Sequence, residues 1–192
     1  LLIRSACYQS EASFSLAPWY TVSITLTDLL QANNIELSTE YRKAVANLFP
    51  VLNYSYEDAE SIYEHLNHSN LQTAQDGFMM ALSALTSRIP VVLVFEDIHW
   101  MDKQSVELLK LLIRCLRNKK VMVVCTCREE LPSYLVQFFF EAIQDDLLTT
   151  CVLNRLTREE TTYFIQRQTE VKYSQEDLDR IYKNTSGNPL LL

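Results

Sequence analysis

Glycine is almost missing from this chain. At ordinary usage of roughly 7% a protein of this length would carry about 13 glycines, and this one has 2, Gly77 and Gly187. A phosphate-cradling loop of the form G-x-x-x-x-G-K-[ST] needs closely spaced glycines, because its backbone N–H groups must close on phosphate oxygens with no Cβ in the way. Two glycines so far apart exclude that loop anywhere in the sequence. Clustered positive charge is lacking too: 17 Lys and Arg against 24 Asp and Glu give a net charge of −7. Nothing in that balance offers a footprint for nucleic acid or an anionic membrane. No apolar run reaches the roughly 18 residues of a spanning helix, and the opening LLIRSACYQS is too short and wrongly flanked for a signal peptide. Cysteines number 5, an odd count without C-x-x-C spacing, which suits a reducing cytoplasm. Cys125 and Cys127, two apart on an expected strand, share a face and read as core thiols, since no His or second Cys pair accompanies them as metal ligands.

What is present fits an alternating α/β chain. The 192 residues, 48% hydrophobic, suffice for one core or one core with a small appended unit. Leu1 to Cys7 reads as a strand that begins with no start signal, as a cut through a larger protein would. Pro18 suits the first turn of a helix to about Gln31, and Ser38 can cap another to about Phe49. Pro50 to Asn70 is polar and reads as helix and loop. From Thr73 to Ser87 the apolar positions Phe78, Leu82 and Leu85 recur at helical spacing.

Val91 to Phe95 is then a continuous apolar strand. Asp102 caps a helix with Val106, Leu109, Ile113 and Leu116 on one face, and Arg114, Arg117 and Lys119 follow where cations suit the helix dipole. Val121 to Cys127 is a second apolar strand. Two such strands joined by one helix make a right-handed βαβ unit in a parallel sheet buried on both faces. Leu135 to Ile143 reads as helix and Thr149 to Leu153 as a third strand of this part of the chain. Beyond Leu153 the character changes to short capped helices: Thr157 with Glu160 fits a capping box, and Ser174 opens a helix that Gly187 stops. The expected division is therefore an α/β core over 1–154 and the start of a small helical lid over 155–192.

The segment VVLVFEDIHWMD, from Val91 to Asp102, carries the chemistry. A buried strand that delivers Glu96 and Asp97 to its carboxyl end presents two acids where ligands of parallel α/β sheets sit. One carboxylate can hold magnesium, through water, while the other orients or deprotonates an attacking water. His99 and Trp100 read as packing and orienting residues, since an aromatic in a β-to-α turn usually closes the core.

FEDIHWMDKQSVELLKLL resembles the second acidic motif of STAND-type signal-transduction ATPases, the AAA-like domains of large LuxR-type regulators and cyclase-linked sensors. VMVVCTCRE, from Val121 to Glu129, is similar to their sensor strand with its terminal Arg. LNRLTREE, from Leu153 to Glu160, resembles the link into their helical lid, and Gly187, Asn188 and Pro189 match their G-x-P motif. The opening CYQSEASFSLAPW resembles the stretch after their phosphate-loop helix, so the resemblance covers essentially the whole chain.

It implies a P-loop NTPase-like parallel sheet lacking its first strand, with Glu96 and Asp97 on magnesium, Asp97 facing the attacking water, Arg128 sensing the γ-phosphate and Pro189, with Gly187 and Asn188, against the adenine. It implies ATP and Mg2+ as cofactors of the complete, cytoplasmic protein, whose other domains would be the partners of this segment, with neither nucleic acid nor membrane bound directly. It further implies a strand order 2-3-1-4-5, in which the strands of Glu96 and Arg128 flank an absent strand and stand about two strand spacings, roughly 9 to 10 Å, apart. Without the phosphate loop the chain itself is expected to bind no nucleotide appreciably. The alternative is a non-catalytic interaction module of the same fold. A response-receiver domain fits less well, because its acids belong earlier in the chain.

Overall fold

A computed structural model describes residues 1–48, 68–169 and 171–192. The elements are β1 (Leu2–Ala6), a 3-10 turn (Gln9–Glu11), α1 (Ala17–Ala32), α2 (Thr39–Leu48), α3 (His68–Arg88), β2 (Val91–Glu96), a 3-10 turn (Ile98–Trp100), α4 (Lys103–Cys115), β3 (Val121–Cys125), α5 (Ser133–Gln144), α6 (Arg158–Gln168), α7 (Gln175–Thr185) and a 3-10 turn (Pro189–Leu191). The helix and loop expected over Pro50 to Asn70 lie outside the described residues except for 68–70, which begin α3. Two compact units result, Leu1–Thr149 and Thr150–Leu192. No helix among the described residues is long and apolar enough to cross a membrane.

The first unit is α/β. Its sheet has three parallel strands in the order β1-β2-β3, with Ile3, Leu93 and Val123 in one row and Ser5, Phe95 and Cys125 in the next. Local signals read from the sequence account for several helix starts. Pro18 sits in the first turn of α1, and Tyr41 N–H donates to Ser38 Oγ at 3.1 Å at the start of α2. Asp102 Oδ1 accepts from Ser105 N–H at 2.9 Å at the start of α4.

Gly77 explains itself by packing. A Cβ there would lie 2.6 Å from Ala44 Cβ, so α2 and α3 approach each other at the one helical position with no side chain.

Several expectations are corrected. β2 and β3 are direct hydrogen-bonded neighbours, so no strand or slot lies between them. β2 is paired on both edges, which leaves the outer edges of β1 and β3 as the places where another strand could join.

Among the described residues the sheet is also buried on one face only. Val91, Leu93 and Phe95 are buried while Val92 and Val94 are half-buried, and in the same outward row Leu2 and Met122 are 61% and 62% exposed. The cause is topological. Strands laid down in one direction, joined by right-handed crossovers, put every connecting helix on the same side, and α1, α3 and α4 do meet there around Trp19. Its ring lies 5.3 Å from Phe78 and 5.1 Å from Phe95, and its Nε1–H donates to the Ser105 carbonyl at 3.1 Å.

Finally, Thr149 to Leu153 is not a strand. Val152 and Leu153 are 72% and 91% exposed, and apolar propensity alone cannot hold a strand whose backbone pairs with no edge. β3, too, stops at Cys125, short of the expected Cys127, and Arg117 and Lys119 fall beyond the end of α4. Arg114 pairs with Asp145 at 2.8 Å.

The second unit is two capped helices and a closing turn. The capping box of α6 forms: Thr157 N–H donates to Glu160 Oε2 at 2.8 Å, and Glu160 N–H donates to Thr157 Oγ1 at 3.2 Å. Ser174 caps α7, and Arg158 Nε donates to Asp179 Oδ1 at 2.7 Å to tie the two helices. α7 ends in two successive left-handed residues, Ser186 at φ 48° and Gly187 at φ 71°.

Candidate functional site

The carboxyl edge of the sheet brings together residues from all three strands. Glu96 is the last residue of β2, and Asp97 follows it at φ 54°, ψ 44°, a left-handed turn that Asp tolerates better than most side chains. That turn is clamped to the end of β3. Asp97 N–H donates to Thr126 Oγ1 at 3.0 Å, Ile98 N–H donates to the Thr126 carbonyl at 2.9 Å, and Thr126 N–H donates to the Phe95 carbonyl at 3.0 Å. Arg128, two residues beyond Thr126, is exposed at the same edge.

The two acids have different surroundings. Glu96 receives a hydrogen bond from Arg4 Nη2 at 2.6 Å, with 31% of its side chain exposed. The carboxylate holds the Arg4 guanidinium above its ordinary range, chiefly through that hydrogen bond. Among the described residues no Lys or Arg pairs with Asp97. Its side chain is 57% exposed, and its Oδ1 lies 3.9 Å from Nδ1 of His99. His99 is buried and lies against Trp100 at 5.0 Å between ring centroids.

Sequence reading missed Arg4 and Thr126. Arg4 had a signal: a lone Arg inside the apolar run LLIRSA wants a counter-ion, but only strand register says which acid supplies it. Thr126 had none, because a Thr at a strand end is unremarkable until the neighbouring turn is known.

Asp102, the third acid of the motif, is architectural. Its Oδ2 accepts from Ser105 Oγ at 2.5 Å and from the backbone N–H of Leu16 at 3.1 Å, in addition to the cap on Ser105 N–H. Leu16 is fully buried at φ 61°, and α1 has no side-chain cap of its own, so this carboxylate opens two helices at once. Asp102→Ala should lower the unfolding free energy by about 2 to 3 kcal/mol, summing a lost cap and a buried N–H left unpaired. Urea denaturation followed by far-UV circular dichroism measures it; a loss below about 0.5 kcal/mol would show that the two helix starts do not depend on Asp102.

The two thiols at the sheet offer no reactive group. Burial pushes Cys7 and Cys125 up to about 12, so both stay protonated near neutrality. Cys127, expected in the core, is exposed past the end of β3 because the strand stops two residues earlier.

Magnesium is a hard cation that takes one or two carboxylates and completes its shell with water and ligand oxygens. Glu96 and Asp97 fit that description, Asp97 freely and Glu96 only on release from Arg4. A triphosphate does not fit equally well. Among the described residues no group of three or more His, Cys, Asp or Glu converges as a metal cage. Both glycines are already committed to close packing, Gly77 against Ala44 and Gly187 against Leu156. No step through a nucleotide follows from these residues.

Gly187, Asn188 and Pro189 lie in the second unit. Gly187 carbonyl accepts from Leu156 N–H at 2.9 Å, and Asn188 Oδ1 accepts from Leu190 N–H at 3.1 Å, which opens a short turn with Pro189 exposed. Comparison of the chain with protein-family models, curated proteins and solved structures finds no significant match.

Proposed function

We propose that this chain is part of the nucleotide-binding and switch domain of a STAND-type AAA-like signalling ATPase, a cytoplasmic protein that uses ATP and Mg2+ to change a signalling or transcriptional state. In this reading Asp97 and Glu96 are the magnesium-side acids, Asp97 meets the attacking water, Arg128 senses the terminal phosphate, and Gly187, Asn188 and Pro189 belong to the adenine side. The observation that supports it is that β2, which ends at Glu96, and β3, whose chain runs on to Arg128, are parallel neighbours and so end at the same carboxyl edge, where open α/β folds take their ligands. Ligands there favour the point at which strand order reverses, and β1-β2-β3 contains no reversal. Because β2 is paired on both edges, a phosphate-loop strand could join only outside β1 or β3, which departs from the order 2-3-1-4-5 that the resemblance implies.

The second reading, a non-catalytic interaction module of the same fold, is favoured by the Arg4–Glu96 pair, which neutralises one of the two acids. The reading frame upstream of Leu1 separates the two: a strand followed by G-x-x-x-x-G-K-[ST] supports the ATPase part, and its absence supports the module. For this chain alone, calorimetric titration with ATP and magnesium should give a Kd no tighter than about 1 mM, equivalent to about 4 kcal/mol. Micromolar affinity would mean that these residues hold a phosphate site by means other than a glycine loop.

A further inference from the structure

Both ring nitrogens of His99 lack a hydrogen-bond partner, although only 5% of its side chain is exposed. A neutral imidazole carries one N–H and one lone pair, and burying both unpaired is unfavourable. Asp97 Oδ1 lies 3.9 Å from Nδ1, just outside hydrogen-bonding distance. The backbone between them is fixed. Thr126 clamps Asp97 and Ile98, Trp100 N–H donates to the Asp97 carbonyl at 2.9 Å, and Met101 N–H donates to the Ile98 carbonyl at 2.9 Å. Trp100 lies against the imidazole. The carboxylate of Asp97, 57% exposed, is therefore the part left to move toward the ring.

We propose that His99 is a positioning residue for Asp97: its Nδ1–H donates to one carboxylate oxygen and turns the other outward from the strand end. The proposal rests on the reading of Asp97 as a site acid and deepens it by dividing the work between the two carboxylates. Glu96 is held by a cation, Arg4, which cancels its charge. Asp97 is held by a neutral donor, which orients it and leaves its charge in place. Asp97 is thus the acid equipped to meet a magnesium ion or polarise a water, and Glu96 is the acid held in reserve. The histidine that the sequence reads as a packing and orienting residue acquires a specific partner to orient.

The test is the tautomer of His99 at pH 8, read by long-range proton–nitrogen correlation in the 15N-labelled chain and assigned by loss of its signals in His99→Asn. The wild-type ring should be the Nδ1–H tautomer. Asp97→Gly removes the acceptor and suits the left-handed backbone at φ 54°, so it should fold and shift His99 to the Nε2–H form that free imidazole prefers. Asp97→Asn keeps a carbonyl oxygen and should retain the Nδ1–H form. An Nε2–H ring in the wild type overturns the proposal, as does a pattern unchanged in folded Asp97→Gly. No nucleotide enters the measurement, so a negative result leaves the ATPase reading standing. Equally, failure of nucleotide binding in a complete polypeptide leaves the His99–Asp97 pair standing.

Discussion

Trp19→Ala should lower the unfolding free energy of the Leu1–Thr149 unit by about 3 to 5 kcal/mol, the range for deleting a large buried aromatic. Trp19 is fully buried where three helices and the central strand meet. Its ring contacts Phe78 of α3 and Phe95 of β2, and its indole N–H reaches the Ser105 carbonyl of α4. Among the described residues of this unit, the buried face of the sheet meets its helices around this side chain. Trp19→Phe should cost less, since a smaller ring keeps part of the aromatic contact and gives up the N–H donor. Denaturant unfolding by far-UV circular dichroism distinguishes the variants. A Trp19→Ala loss under about 1 kcal/mol would show that the core is centred elsewhere or collapses readily into the vacated space.

Gly187→Ala should abolish the ordered fold of the second unit while leaving the first intact. Two costs coincide at this residue. Its φ of 71° disfavours any residue with a Cβ, by about 1 to 2 kcal/mol. A Cβ there would also lie 1.9 Å from the Leu156 carbonyl oxygen, so backbone rather than a flexible side chain would have to move. Moving it breaks the Leu156 N–H to Gly187 carbonyl hydrogen bond, which ties the segment entering α6 to the segment leaving α7. A unit as short as Thr150–Leu192 buries too little surface to absorb such a loss. Hydrogen exchange should show protection lost across α6 and α7 and retained in β1, β2 and β3. Retained protection in α6 and α7 would mean that the left-handed stop is not what closes this unit.

The same glycine shows how far local signals reach. The sequence places Gly187 at a helix stop, which it is, and within a G-x-P resemblance. The approach of Leu156, which makes glycine obligatory there, depends on two segments far apart in the chain. Helix starts were legible for the same local reason: Ser38, Asp102, Thr157 and Ser174 each bond backbone N–H groups within a turn of themselves. Strand propensity was less informative. Val91 to Glu96 became a central strand and Thr149 to Leu153 became no strand, because a strand exists only where its backbone pairs with an edge.

By itself the sequence determined that this is an alternating α/β chain with a closely spaced acid pair after an apolar strand, capped helices and no glycine-rich phosphate loop. These are properties of composition and of interactions spanning a few residues. Only the tertiary structure decided that β2 and β3 are neighbours, that one face of the sheet stays open, that Glu96 is bound by Arg4, and that Asp102 serves two helix starts. Each depends on strand register or on crossover direction, and these bring together residues some 90 positions apart in the chain. Register cannot be read from periodicity, because runs such as Val91–Phe95 and Val121–Cys125 are apolar at every position and are compatible with more than one alignment.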